Sequence, residues 1–86
     1  MMFDVYYSNQ ALKFLKHLDK VSARRILKTI EALRAKPITH DTKTVEGYKE
    51  KLFRVRVGDY RILYEVDYEA NKLGLIKVDK RSRVYS

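Results

Sequence analysis

Cysteine and tryptophan are absent from the chain, and glycine and proline are scarce, with three and one among 86 residues. Without cysteine there is no disulfide framework, no thiolate nucleophile and no cysteine-based zinc site. The two histidines, His17 and His40, lie too far apart in sequence for a metal-site pair. No metal or cofactor is therefore expected. So few turn formers imply short loops and dense regular structure. No apolar run approaches the roughly 18–20 residues that span a bilayer, so no membrane partner is expected. The opening MMFDVYYSNQ lacks the charged-then-apolar order of a signal peptide. The length suits one small domain over residues 1–86, with a cytoplasmic location as the default.

What the chain has in excess is positive charge. Lys and Arg number 19 against 11 acidic residues, for a net charge of +8. The charge is uneven: residues 21–36 carry +4, residues 51–61 carry +3 and residues 77–86 carry +3, whereas residues 62–76 carry −2. A small basic domain of this kind binds something anionic, and composition alone does not choose among nucleic acid, an acidic protein segment and a membrane surface.

Hydrophobic periodicity gives the architecture. Phe3 to Tyr7 reads as a first strand. Ser8 is a good N-cap for a short helix whose stripe is Ala11, Phe14, Leu15 and Leu18. After a break at Asp19–Ser22, where either residue can cap, Ala23, Ile26, Leu27, Ile30 and Leu33 form the stripe of a longer helix, which Pro37 ends. Residues 37–50 have no clear period and read as a loop. Leu52–Val57, Tyr60–Val66 and Leu73–Asp79 alternate as strands, separated by turns at Gly58-Asp59 and Glu69–Lys72. The order is βααβββ, an α+β fold with a helical hairpin on one face of a small, mainly antiparallel sheet.

Strand parity then sorts the second half of the chain. Phe53, Val55, Val57, Ile62 and Tyr64 face the helices, and Arg54, Arg56 and Arg61 share the opposite face. The pattern admits two readings: a sheet face made soluble by arginine, or a rigid guanidinium surface for phosphates. The tail adds Lys80, Arg81, Arg83 and Tyr85, the composition of a surface that holds a single strand by its backbone and stacks its bases.

The block from Leu52 to Val66, with its Tyr60-Arg-Ile-Leu-Tyr64, resembles the central hairpin of the RelE/ParE toxin superfamily. The ending Lys80-Arg-Ser-Arg-Val-Tyr-Ser86 is similar to that superfamily's Arg-x-x-Val-Tyr signature. Ala11-Leu12-Lys13 in the first helix, and Thr44-Val-Glu-Gly47 in place of its Lys-Leu-x-Gly loop, extend the likeness over the whole chain. The resemblance implies the RelE-like fold and the toxin of a type II toxin–antitoxin pair. Its partners would be a cognate acidic RelB-like antitoxin, the ribosome and mRNA. RelE-type members cleave mRNA in the ribosomal A site and so inhibit translation. ParE-type members share the fold, poison DNA gyrase and lack the basic catalytic set. The arginines here favour the RelE side. A gyrase-directed toxin without nuclease chemistry and a non-catalytic RNA-binding module are the alternatives.

On the RelE reading, the 2′-hydroxyl attacks its own 3′-phosphate. That reaction needs a base, stabilisation of the phosphorane and an acid for the leaving oxygen. The resemblance makes Arg61, Arg81 and Tyr85 the catalytic set and gives Arg54, Arg56, Lys80 and Arg83 to phosphate binding. Arg61 and Arg81 would clamp the phosphate. The resemblance also lets Arg81 protonate the leaving oxygen, although its high pKa makes charge stabilisation the readier role. Tyr85 would act as base or stack on a nucleotide. RelE itself tends to carry lysines where Arg54 and Arg56 stand, and an arginine does not release its proton, so the base rests on Tyr85.

Overall fold

Two hydrophobic stripes and a run of alternating strands assemble into a helical hairpin laid on one face of a five-stranded sheet. The computed structural model describes residues 2–39, 42–45 and 52–80. The elements are β1 (Asp4–Tyr7), α1 (Asn9–Lys16), α2 (Lys20–Ala35), β2 (Lys43–Val45), β3 (Leu52–Val57), β4 (Tyr60–Asp67) and β5 (Lys72–Lys80). The sheet order is β1-β5-β4-β3-β2, antiparallel throughout except for the parallel β1–β5 pair. The strand β2 corrects the expectation of an unbroken loop over residues 37–50. Its three residues are too few to show a period, and pairing with Leu52–Arg54 is what orders them.

Both helices begin at side-chain caps. The Ser8 hydroxyl oxygen accepts from the Ala11 amide at 3.1 Å, and the Asp19 carboxylate accepts from the Ser22 amide at 2.9 Å. That bond, together with the side-chain contact to Ser22, holds the exposed Asp19 carboxyl below its ordinary pKa. The first turn of α1 also finishes the sheet. β1 pairs with β5 only from Lys72 to Leu75, which leaves the rest of that edge of β5 without a neighbouring strand. There the Ser8 hydroxyl donates to the Ile76 carbonyl at 2.6 Å. The Gln10 amide donates to the Val78 carbonyl at 2.8 Å and accepts from the Val78 N–H at 3.0 Å.

The core lies between the helices and the sheet. Ile26, Ile30 and Leu33 of α2 and Ala11 of α1 meet Val55, Val57, Ile62, Tyr64, Leu73, Leu75 and Val78. Leu27 departs from the expected stripe and is 44% exposed. It sits one residue around the helix from the Ile26–Ile30–Leu33 line, over a shallow cleft shared with Val5 and Tyr7. Tyr64, wholly buried, is the polar anchor of the core. Its hydroxyl donates to the Pro37 carbonyl at 2.6 Å and lies 3.1 Å from the Thr42 hydroxyl, tying the segment after α2 to the sheet. Arg34 does the same at the other edge, donating from Nε to the Phe3 carbonyl at 2.8 Å.

Candidate functional site

The face of the sheet turned away from the helices carries the charge. Cross-strand register arranges it in rows, because residues directly opposite one another point the same way. One row is Arg56–Arg61–Asp79 across β3, β4 and β5. The next is Lys43–Arg54–Leu63–Lys77, from β2 to β5. A third is Leu52–Glu65–Gly74–Tyr6, where the Tyr6 ring lies across Gly74 and its hydroxyl donates to Glu65. A Cβ at Gly74 would collide with that ring.

The structure thus brings Arg54, Arg56 and Arg61 together on one face, as their alternation implies. It adds three residues that parity along a single strand does not reveal: Lys43, Lys77 and Asp79. Asp79 is the electrostatic surprise. Its carboxylate accepts from Arg61 Nε at 3.4 Å and from Arg61 Nη2 at 3.3 Å, and Lys77 Nζ lies 3.8 Å away. The reason these were hidden is a bulge. Leu63 pairs with Lys77 and Tyr64 with Leu75, so Ile76 is an extra residue in β5. Counting alternately from buried Leu73 would put Lys77 and Asp79 inward and Val78 outward; the bulge reverses all three.

The same reversal moves Lys80. Its register partner is Tyr60, whose ring packs edge-on against Phe14 of α1, so Lys80 belongs to the helix side of the sheet and not to the arginine face. Arg81, Arg83, Tyr85 and His40 lie outside the described residues. Lys80, immediately before the tail, stands at the end of the sheet that carries Arg56 and Arg61. His17 is exposed at the end of α1 with Nδ1 2.8 Å from the Lys13 carbonyl, remote from the arginine rows. Among the described residues, no group of three histidine or acidic side chains could hold a metal ion. None of their helices is long and apolar enough to cross a membrane.

A second basic feature flanks the first. An open groove of about 790 Å³ runs between α2 and β3. Arg25, Lys28, Lys36 and Arg56 line it, with Leu33, Val55 and Val57 as its floor. The Arg25 guanidinium lies over Gly58, which takes a φ of +58° in the β3–β4 turn. Arg56 therefore stands between the groove and the arginine face.

A helical hairpin on one face of a mainly antiparallel sheet is the fold the sequence resemblance implied, here with β2 as a fifth strand. The protein-family model for the ParE toxin of type II toxin–antitoxin systems matches residues 5–85. The chain belongs to the ParE toxin family, within the RelE/ParE superfamily. Inside that superfamily its likeness is to RelE. The RelE1 protein of Methanocaldococcus jannaschii is 30% identical over 88 residues, covering 99% of this chain and 97% of that protein. A chain of the archaeal RelE–RelB complex from Pyrococcus horikoshii OT3 matches with a TM-score of 0.83 and 31% identity, over 96% of this chain and 99% of that one. The isolated E. coli RelE toxin, at 23% identity, shares the fold, with a TM-score of 0.79 over 96% of this chain and 90% of that one. The protein is thus a type II toxin of the RelE/ParE superfamily, and its arginine rows are the candidate working surface of the toxin.

Proposed function

We propose that this toxin is a ribosome-dependent endoribonuclease that cuts mRNA in the A site and thereby inhibits translation. The observation that supports this most directly is the Arg56–Arg61 pair with Arg54 beside it, on the sheet face opposite the two described helices. Guanidiniums fixed on neighbouring strands suit a phosphodiester, whose oxygens accept two parallel N–H bonds. In the reaction the 2′-oxygen forms a bond to phosphorus and the bond from phosphorus to the 5′-oxygen breaks. The products are a 2′,3′-cyclic phosphate and a free 5′-hydroxyl, whose proton would come from water or, more slowly, from Arg81. The added charge on the phosphorane is what Arg61 and Arg81 would stabilise. Arg54 and Arg56, with Lys43 and Lys77 at the margins, would hold the flanking phosphates, a role the sequence resemblance extends to Arg83. Tyr85 would take the 2′-proton or stack on a base. Lys80, on the other side of the sheet, is not in this set.

The cognate partner on this reading is a RelB-like antitoxin. The P. horikoshii relative was crystallised as a RelE–RelB complex, and a groove lined by four cations over an apolar floor suits an acidic, partly apolar chain. A toxin acting on the ribosome would work in the cytoplasm.

The family match itself favours a second reading, a ParE-type toxin that inhibits a topoisomerase by binding alone. Primer extension on programmed ribosomes separates the two. Wild type should cut within the A-site codon, and Arg61→Ala, Arg81→Ala and Tyr85→Phe should each be slowed by about a hundredfold or more. A folded wild type that leaves the mRNA whole but inhibits gyrase supercoiling would replace the nuclease with the ParE reading.

A further inference from the structure

Asp79 is an acidic group set among the cations of a face otherwise suited to phosphate. Its side chain is 25% exposed and that of Arg61 is 24% exposed, so about three quarters of each is covered by the protein. A carboxylate there weakens a phosphate site unless it serves another end, and the geometry of the contact shows which. Of the five N–H groups of a guanidinium, Asp79 takes the one on Nε and one on Nη2. The Nη1–Nη2 edge is not used in this pair, and that edge offers a second two-pronged donor set. On its other flank Arg61 faces Arg56 directly, a like-charge pairing that by itself drives the two side chains apart.

We propose that Asp79 is a positioning residue: by gripping the Nε–Nη2 edge of Arg61 it keeps the Nη1–Nη2 edge presented, next to Arg56, to an RNA phosphate. The proposal rests on the ribonuclease reading and deepens it. Asp79 offsets the repulsion from Arg56 and fixes a long side chain that would otherwise sample several rotamers. Lys77, 3.8 Å from the same carboxylate, balances the remaining charge, so the row is not left with a free anion to repel RNA. The bulge at Ile76 is what makes the contact available, since without it Asp79 would point to the helix side.

The test uses the full chain as wild type, Asp79→Asn and Asp79→Glu. The first readout is the Arg61 side-chain Nε–H resonance, assigned by its loss in Arg61→Lys. It should be ordered in wild type and averaged in Asp79→Asn. The second is cleavage on programmed ribosomes. For Asp79→Asn, kcat should fall by about ten- to a hundredfold, the scale of a misplaced positioning group. KM should not rise, because net positive charge increases, so the loss falls on kcat alone. Asp79→Glu should recover part of kcat. An Arg61 resonance indifferent to Asp79→Asn would overturn the inference. So would faster cleavage with a lower KM, which would make Asp79 a charge brake instead. Should wild type not cleave, the ribonuclease reading falls. Titration with an RNA oligonucleotide then decides the inference: a shift of the Arg61 resonance in wild type but not in Asp79→Asn upholds it, and no shift in wild type ends it.

Discussion

Arg56 on β3 and Arg61 on β4 stand directly opposite each other, two positive charges where an antiparallel pair most often places unlike ones. Like charges in that position destabilise a sheet by a few tenths to about 1 kcal/mol. Arg56→Thr keeps a good strand former and removes the repulsion. It should raise the urea midpoint while lowering ribosome-dependent cleavage, the opposed signs expected where function is built on local strain. Equal or lower stability in Arg56→Thr would show that Asp79 already cancels the repulsion.

Tyr64 carries a prediction about alkaline pH. Burial pushes its hydroxyl pKa above the ordinary value of 10, with the Thr42 bond acting the other way. A group whose folded pKa is raised contributes stability that is fully present below its unfolded pKa and is lost as pH rises through the folded one. Wild type should therefore lose stability above about pH 10, and Tyr64→Phe should lose less over the same range. At neutral pH the variant leaves the Pro37 carbonyl without this donor and should cost about 1–2 kcal/mol by denaturant unfolding.

Gly74 is required by its neighbour and not by its backbone angles. The Tyr6 ring occupies the space of a Cβ at Gly74 on its way to Glu65. Gly74→Ala should swing the exposed Tyr6 ring off its Glu65 bond and cost about 1 kcal/mol, the worth of such a bond. Tyr6→Ala combined with Gly74→Ala should cost less than the two single changes summed, because the collision is then gone. Strict additivity in that double-mutant cycle would refute the contact as the cause.

Asp19 predicts the acid limb. Its carboxyl is held low by the Ser22 amide and so contributes to stability above its unfolded pKa; that contribution fades as pH falls through the folded value. Asp19→Asn, which keeps a capping oxygen, should flatten the acid side of the stability–pH profile while remaining helical by circular dichroism. A profile parallel to wild type would mean that the carboxylate charge does not matter to the cap.

Much of the fold was legible because local patterns and global packing agree. The stripes of α1 and α2, the cap at Ser8, the stop at Pro37 and the β3–β4 hairpin were all readable from spacing, whereas the choice of Asp19 over Ser22 as the second cap was not. So was the shared face of Arg54, Arg56 and Arg61, since these strands pair without a slip from Leu52 to Tyr60. β2 was not readable, because three residues carry no period and only the edge of β3 makes them a strand. The exposure of Leu27 was missed because a stripe wide enough to include it is wider than the surface α2 buries.

The charge follows from composition, and the helical hairpin, the strand alternation and the arginines on β3 and β4 follow from periods of 3.6 and 2, which each segment carries within itself. What stands beside those arginines depends instead on how distant strands pair. An extra residue at Ile76, accommodated where the caps of α1 meet the edge of β5, shifts the parity of everything after it. That shift turns Lys77 and Asp79 toward Arg61 and Lys80 away from it, and a bulge arises from the pairing of two strands, which neither strand encodes alone.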